Sequence, residues 1–358
     1  MMKNLVKLSG AAVVFLSVFL AAPIKASGQS NWLTKVTLGE VANGEPGLAE
    51  FKGPDGVDRL ILTWGGSGNN YFNSLVSTDG VNWTNKYTLR SSPLVAYDVT
   101  GGIGMTGSTS CGYAYAAFRD GASGLGRSSS YYGHIWVART QNGSTWSSFY
   151  NVTPTWSSWS APSLRGDNSS LPIGAAFAHY YGATGTYYSW KEKFNCDLSG
   201  PALVENEQPS GGSGCFFTSC GYDMAGGWTP LWTGANGTTN LQGIGTGSFN
   251  DAGLIFYQVN AGSILQIGTN WANNGLGGAV NPSNNTPYVA WTCDYVDAGT
   301  CHQGGNINLY NTVSLASLCE CSDFSDFKPA VVFWKGKIVV AWAGYNNHYI
   351  NIGTLNPF

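Results

Sequence analysis

An apolar run that ends in an aromatic residue recurs six times along this chain, at Trp64, Phe118, Phe177, Trp232, Trp291 and Trp342. The runs are RLILTW, AYAAF, IGAAF, TPLW, PYVAW and IVVAW, and they are 54, 59, 55, 59 and 51 residues apart. A period of this length is the mark of one supersecondary unit copied along the chain. Within each copy, short apolar stretches alternate with clusters of Gly, Asn, Ser and Pro, as expected of strands joined by tight turns. The first copy is the clearest: Leu48 to Phe51, Arg59 to Trp64, Tyr71 to Val76 and Lys86 to Leu89 are its four strands. Four antiparallel strands per copy, repeated radially, predict an all-β fold, a six-bladed β-propeller. Helical periodicity is absent after the first thirty residues.

The two ends of the repeat region complement each other. Residues 31–38 (NWLTKVTL) match residues 82–89 (NWTNKYTL) at five of eight positions. They therefore look like a fourth strand without its first three. At the other end, Pro329 to Phe333, Lys337 to Trp342 and His348 to Thr354 supply three strands without a fourth. The N-terminal strand is expected to complete the last blade, which would remove two open sheet edges.

The start of the chain reads as an export signal over residues 1–28. Lys3 and Lys7 precede an apolar run from Ala11 to Ala22, and small residues surround Ala26 and Gly28. The apolar run is too short to span a bilayer. Residues 29–358 are then expected to form one propeller domain that is secreted, monomeric and not inserted in a membrane. A transmembrane barrel is disfavoured, because its strands would alternate between lipid-facing and lumen-facing residues. Eight cysteines suit an oxidising compartment. Cys215/Cys220 and Cys293/Cys301 are spaced to close small loops, whereas the pairing of Cys111, Cys196, Cys319 and Cys321 is open. A zinc site at Cys319-Glu320-Cys321 would need a second close Cys or His pair, which the sequence lacks. His134, His179, His302 and His348 are scattered over four copies of the repeat.

Charged residues make up 10% of the chain, against about 25% in an average protein. With no basic patch, nucleic acid is a poor partner. Between Lys193 and Lys328 there is no Lys or Arg but there are ten acids, from Asp197 to Asp326. No cofactor is implied, and Ca²⁺ is the ion that such an acidic stretch would suit.

Two turns share the pattern [Ser/Thr]-x-[Asp/Asn]-Gly-x-x-Trp. One is built on Ser77, Asp79, Gly80 and Trp83, the other on Thr140, Asn142, Gly143 and Trp146. The carboxylate or amide can accept from backbone N–H groups of the turn, Gly allows positive φ, and Trp packs the turn down. The pattern resembles the Asp-box of the sialidase-like (BNR-repeat) β-propellers. That resemblance implies a propeller and a structural role for these eight residues. It does not carry the family's chemistry with it. Sialidases hold the substrate carboxylate with three arginines, the first in an Arg-Ile-Pro motif, and use a Tyr/Glu nucleophile pair and an acid/base Asp. Here Arg-Ile-Pro is absent, none of the six arginines follows Arg165, and the later repeats are acidic. An anionic sugar is therefore not the expected ligand.

In the family, Asp-boxes mark one rim, so loops on the opposite face are expected to carry the ligand site. The residues assigned to it are Arg119, Asp120, Tyr131, Tyr132, Trp159, His179, Tyr180, Asp294, Tyr345 and Asn346. Flat aromatics among Asn, Asp and Arg suit sugars, whose C–H faces stack and whose hydroxyls need donors and acceptors. The expected function is binding of a glycan or other surface ligand without catalysis. The alternative is an extracellular glycoside hydrolase with Asp120 and Asp294 as its carboxylates.

Overall fold

The computed structural model describes residues 32–96, 102–108, 110–121, 133–153, 161–166, 173–181, 186–200, 202–207, 229–230, 241–245, 253–259, 265–292, 296–297, 300–301, 305–325 and 327–357. All regular elements among them are strands. They are β1 (Thr34–Val41), β2 (Gly47–Lys52), β3 (Asp58–Gly65), β4 (Phe72–Ser77), β5 (Thr84–Leu89), β6 (Ile103–Ser108), β7 (Tyr113–Arg119), β8 (Ile135–Thr140), β9 (Tyr150–Asn151), β10 (Ser163–Gly166), β11 (Ile173–Tyr181), β12 (Thr186–Phe194) and β13 (Ala202–Glu207). There follow β14 (Thr229–Pro230), β15 (Leu241–Gly245), β16 (Gly253–Val259), β17 (Leu265–Asn281), β18 (Thr286–Thr292), β19 (Val296–Asp297), β20 (Thr300–Cys301), β21 (Gly305–Asn311), β22 (Ala316–Ser325), β23 (Ala330–Trp334), β24 (Lys337–Ala343) and β25 (Tyr349–Leu355). No helix among the described residues is long and apolar enough to cross a membrane.

The sheets are antiparallel and form a β-propeller, but not the six equal blades that the repeat predicts. Among the described residues there are four blades of four strands: β2-β3-β4-β5, β6-β7-β8-β9, β10-β11-β12-β13 and β1-β25-β24-β23. The remaining repeats form one seven-stranded sheet, β14-β15-β16-β17-β18-β21-β22, with a separate hairpin β19-β20. The reason lies in β17. Through Asn273-Asn274-Gly275 the chain stays extended, within a strand of 17 residues. Its first part pairs with β16 and its second part with β18, with a register irregularity between Asn273 and Gly277.

The first strand of each repeat lies innermost, and these strands touch in ring order: β2 with β6, β6 with β10, and β17 with β23, which meets β2 again. Glycines make that approach close. A Cβ on Gly104 would lie 2.1 Å from the carbonyl oxygen of Pro162, and one on Gly277 2.2 Å from that of Pro329. The aromatic that ends each repeat's second strand is core: Trp64, Phe118, Trp291 and Trp342 are all buried. Phe177 lies on β11, described by its backbone, and Trp232 lies outside the described residues.

β1 closes the ring against β25, with Thr34 opposite Thr354 and Thr37 opposite Asn351. The eight-residue sequence match extends to side chains. Lys35 sits over the ring of Trp342, as Lys86 sits over that of Trp64. Trp32 stacks on Trp342 at 5.0 Å between centroids and donates its Nε1–H to Asp323 on β22 at 2.7 Å. Lys35 pairs with the same carboxylate. A disulfide joins Cys111 to Cys196 and so ties the second blade to the third. The other six cysteines either lie outside the described residues or are described by backbone alone.

Candidate functional site

The turns at Ser77–Trp83 and Thr140–Trp146 fix one face of the ring. Asp79 Oδ1 accepts from the backbone N–H of Val81 and Asn82 at 2.9 and 2.8 Å, and Asn82 Nδ2 donates to Oδ2 at 2.7 Å. The Asn82 backbone N–H and then its amide hold the Asp79 carboxyl well below the ordinary range. Asn142 Oδ1 accepts in the same way from Ser144 and Thr145, both at 3.0 Å. Gly80 and Gly143 have φ of 78° and 76°, where a side chain would be strained. Each turn docks on the preceding blade. Gly80 faces Trp334, and Gly143 faces Val76 and Ile61. Trp146 donates Nε1–H to Ser74 Oγ at 2.9 Å.

The opposite face, called upper here, carries the loops from β3 to β4, β7 to β8 and β24 to β25, and the chain leading into each inner strand. Two of its loops are copies of each other. In the loop after β3, Asn69 Oδ1 accepts from Tyr71 N at 3.0 Å, and Asn73 Nδ2 donates to Tyr71 O at 2.8 Å. In the loop after β24, Asn347 Oδ1 accepts from Tyr349 N at 3.0 Å, and Asn351 Nδ2 donates to Tyr349 O at 2.9 Å. Asn70 and Asn346 both take left-handed φ, 58° and 62°. The second loop differs in what it exposes. Tyr345 is 39% and Phe324 44% exposed, and Tyr345 N donates to Phe324 O at 3.1 Å. Two exposed aromatics are thus joined through their backbones above the last blade, close in sequence to the exposed Asn346 and Asn347. Phe324 was not among the sequence candidates. It lies at the end of β22 away from any repeat aromatic, and no turn motif points to it.

The other candidates are placed as follows. Asp120 follows β7. Its Oδ1 accepts from His134 N and its Oδ2 from Trp136 Nε1, both at 2.7 Å. Arg119 is buried at 1% exposure. His179 and Tyr180 lie on β11 opposite Tyr188 and Tyr187, with backbone alone described. Tyr131, Tyr132, Trp159 and Asp294 lie outside the described residues, and so does any Asp120–Asp294 separation.

Inward from the aromatic pair, the chain from Phe324 leads to Lys328 at the ring axis. Lys328 Nζ pairs with Glu45 Oε2 at 2.9 Å, and both side chains are largely buried. The two residues hold equivalent places, each immediately before the proline (Pro46, Pro329) that leads into an inner strand. Below them an axial cavity of about 420 Å³ is walled by β2, β6, β10, β17 and β23. Glu50 lines it, and its carboxyl is pushed up to about 7, by burial first and then by the neighbouring Asp58. Among the described residues no group of three or more His, Cys, Asp and Glu could hold a metal ion.

In sequence the chain matches no known family and no curated protein. In structure it is similar to solved glycosidases. One is the Trypanosoma rangeli sialidase with the inhibitor DANA, at TM-score 0.53 and 9% identity over 86% of this chain and 54% of that one. Another is a mutant of the α-L-arabinofuranosidase Arb93A from Fusarium graminearum with an iminosugar inhibitor, at TM-score 0.50 and 11% identity over 88% of this chain and 93% of that one. The chain thus spans about half the length of the trypanosomal enzyme. These likenesses establish the fold alone: the chain is a β-propeller.

Proposed function

We propose that this chain is an exported propeller that binds an uncharged glycan on its upper face without catalysing its cleavage. The observation that carries the reading is the exposed pair Phe324 and Tyr345 beside Asn346 and Asn347. Aromatic faces pack on sugar C–H surfaces, and primary amides both donate to and accept from hydroxyls. The scarcity of charge supports a neutral ligand. The absence of catalysis is supported by Asp120, whose two oxygens already accept from His134 and Trp136. The fold shared with enzymes that act on sugars agrees with a glycan ligand, although fold does not fix function. A glycan array probed with the chain, beside a panel of chromogenic glycosides, tests the proposal. Binding to neutral glycans is expected, weakened about tenfold in Tyr345→Ala, a loss of about 1.4 kcal/mol, with no glycoside turned over. Turnover that Asp120→Asn abolishes would establish the hydrolase reading instead.

A further inference from the structure

We propose that the axial cavity is a second binding site, separate from the upper face, for one small uncharged polyhydroxylated molecule held between Glu50 and Trp334. Four observations carry it. The cavity, about 420 Å³, falls in the size range of pockets that enclose single small molecules, about 300–1,000 Å³. Its inner strands β2, β6, β10 and β23 each end a sheet, so one edge of each keeps backbone N–H and C=O groups for the axis. Trp334 lines the cavity and is 6% exposed, yet its Nε1–H has no hydrogen-bond partner among the described residues. Its Cζ3 edge meets the turn at Gly80, which leaves the Nε1 edge turned away from that turn. Glu50 lines the same cavity, and its carboxyl has no hydrogen-bond partner among the described residues.

The chemistry of the ligand follows from the walls. Leu48 and Val332 offer apolar surface, while Glu50 and Trp334 offer polar groups. Ringed molecules with C–H faces and peripheral hydroxyls match that mixture. A charged ligand would be poorly served. Glu45 and Lys328 already neutralise each other at the upper mouth, and the Lys335 ammonium, 4.3 Å from the centroid of the Trp334 ring, is engaged by Thr78 O at 2.9 Å. Asp58 and Lys52 lie opposite each other in the first blade. β6, β10 and β17 bring no charged residue to the cavity. Burial beside Asp58 favours the neutral form of Glu50. In that form it both donates and accepts, so binding is proton-linked.

Isothermal titration of the Tyr345→Ala chain with galactose, glucose, mannose and myo-inositol, at pH 5.5 and pH 8.5, tests the site without the upper-face contribution. One of these four is expected to bind at one equivalent at pH 5.5 and about tenfold or more weaker at pH 8.5, where Glu50 is ionised. Adding Trp334→Phe should weaken binding about tenfold at pH 5.5. Adding Glu50→Gln should retain binding and remove its pH dependence, a readout that does not rely on the tryptophan variant folding. Failure of all four to bind at pH 5.5 would overturn the proposal. So would binding with unchanged pH dependence in Glu50→Gln.

Discussion

The two Ser/Thr-x-Asp/Asn-Gly-x-x-Trp turns show how far single residues can be read from sequence and where reading stops. Their internal hydrogen bonds follow from residue type, because a short acceptor two residues before a pair of N–H groups closes the same turn wherever it occurs. What the turn docks on does not follow, because that surface belongs to another repeat. Trp146 finds Ser74 Oγ on the preceding blade. Trp83 faces the last blade, where the residue ten places after Trp342, as Ser74 is after Trp64, is Ile352, and its Nε1–H has no partner among the described residues. Replacing each indole by a phenyl ring separates the two cases. Trp146→Phe should lose about 1 kcal/mol for the hydrogen bond beyond the loss in packing area. Trp83→Phe should lose the packing area alone, since the group it removes is already unsatisfied. Urea denaturation of both variants measures the difference, and equal losses would mean that the Ser74 bond adds nothing. The same limit applies at the upper face. Tyr345 and Asn346 could be picked out because they follow a repeat aromatic, whereas Phe324 comes near them only through folding.

At the scale of elements, β1 was the most legible part of the chain, because it is a copied strand displaced to the other end. The match at Lys35 carries the same local packing as at Lys86, each ammonium over the tryptophan of its own blade, so a sequence likeness became a structural one there. Asp323, which accepts from Trp32 and pairs with Lys35, belongs to the neighbouring sheet and left no trace in the pattern. β17 is the opposite case. Asn and Gly favour turns, but pairing to β16 on one side and β18 on the other holds Asn273-Asn274-Gly275 extended. Tertiary pairing outweighed local preference there. The closure of the ring can be tested at one atom. A Cβ on Gly353 would lie 2.3 Å from Trp32 Cε3, so Gly353→Ala must displace Trp32 from Trp342 and loosen β1. Lower thermal stability is expected, with oligomers formed through the bared edge of β25. Deletion of residues 29–40 should do the same more severely. A monomeric Gly353→Ala protein with unchanged melting would show that the seam does not depend on that stack.

For the whole molecule, the composition was legible as a surface poor in charge, but the placement of the few charges that matter was not. Glu50 carries no motif in the sequence; the β2–β3 hairpin brings it near Asp58, and folding partly buries it. This placement gives the protein an unusual dependence of stability on pH. The Glu50 carboxyl rises from 4.5 to about 7 on folding. Between those values the native state binds more protons than the unfolded chain, so stability falls as pH rises from 4.5 through 7. Asp55, held down first by Arg59, and Asp79, held down by its own turn, work the other way. The stability they confer is present above the ordinary Asp value of 3.8 and is lost as pH falls below it. The melting temperature should therefore peak on the acid side of neutrality, near pH 5, and decline toward pH 8. Glu50→Gln, which keeps the shape and removes the charge, should gain on the order of 1–3 kcal/mol at pH 8 and little at pH 5. The acid limb should stay as it is, because the Asp55 and Asp79 turns are untouched. Melting curves of both proteins from pH 3 to pH 9 measure this directly. A Glu50→Gln curve parallel to that of the parent across neutrality would mean that Glu50 is ionised in the folded ring.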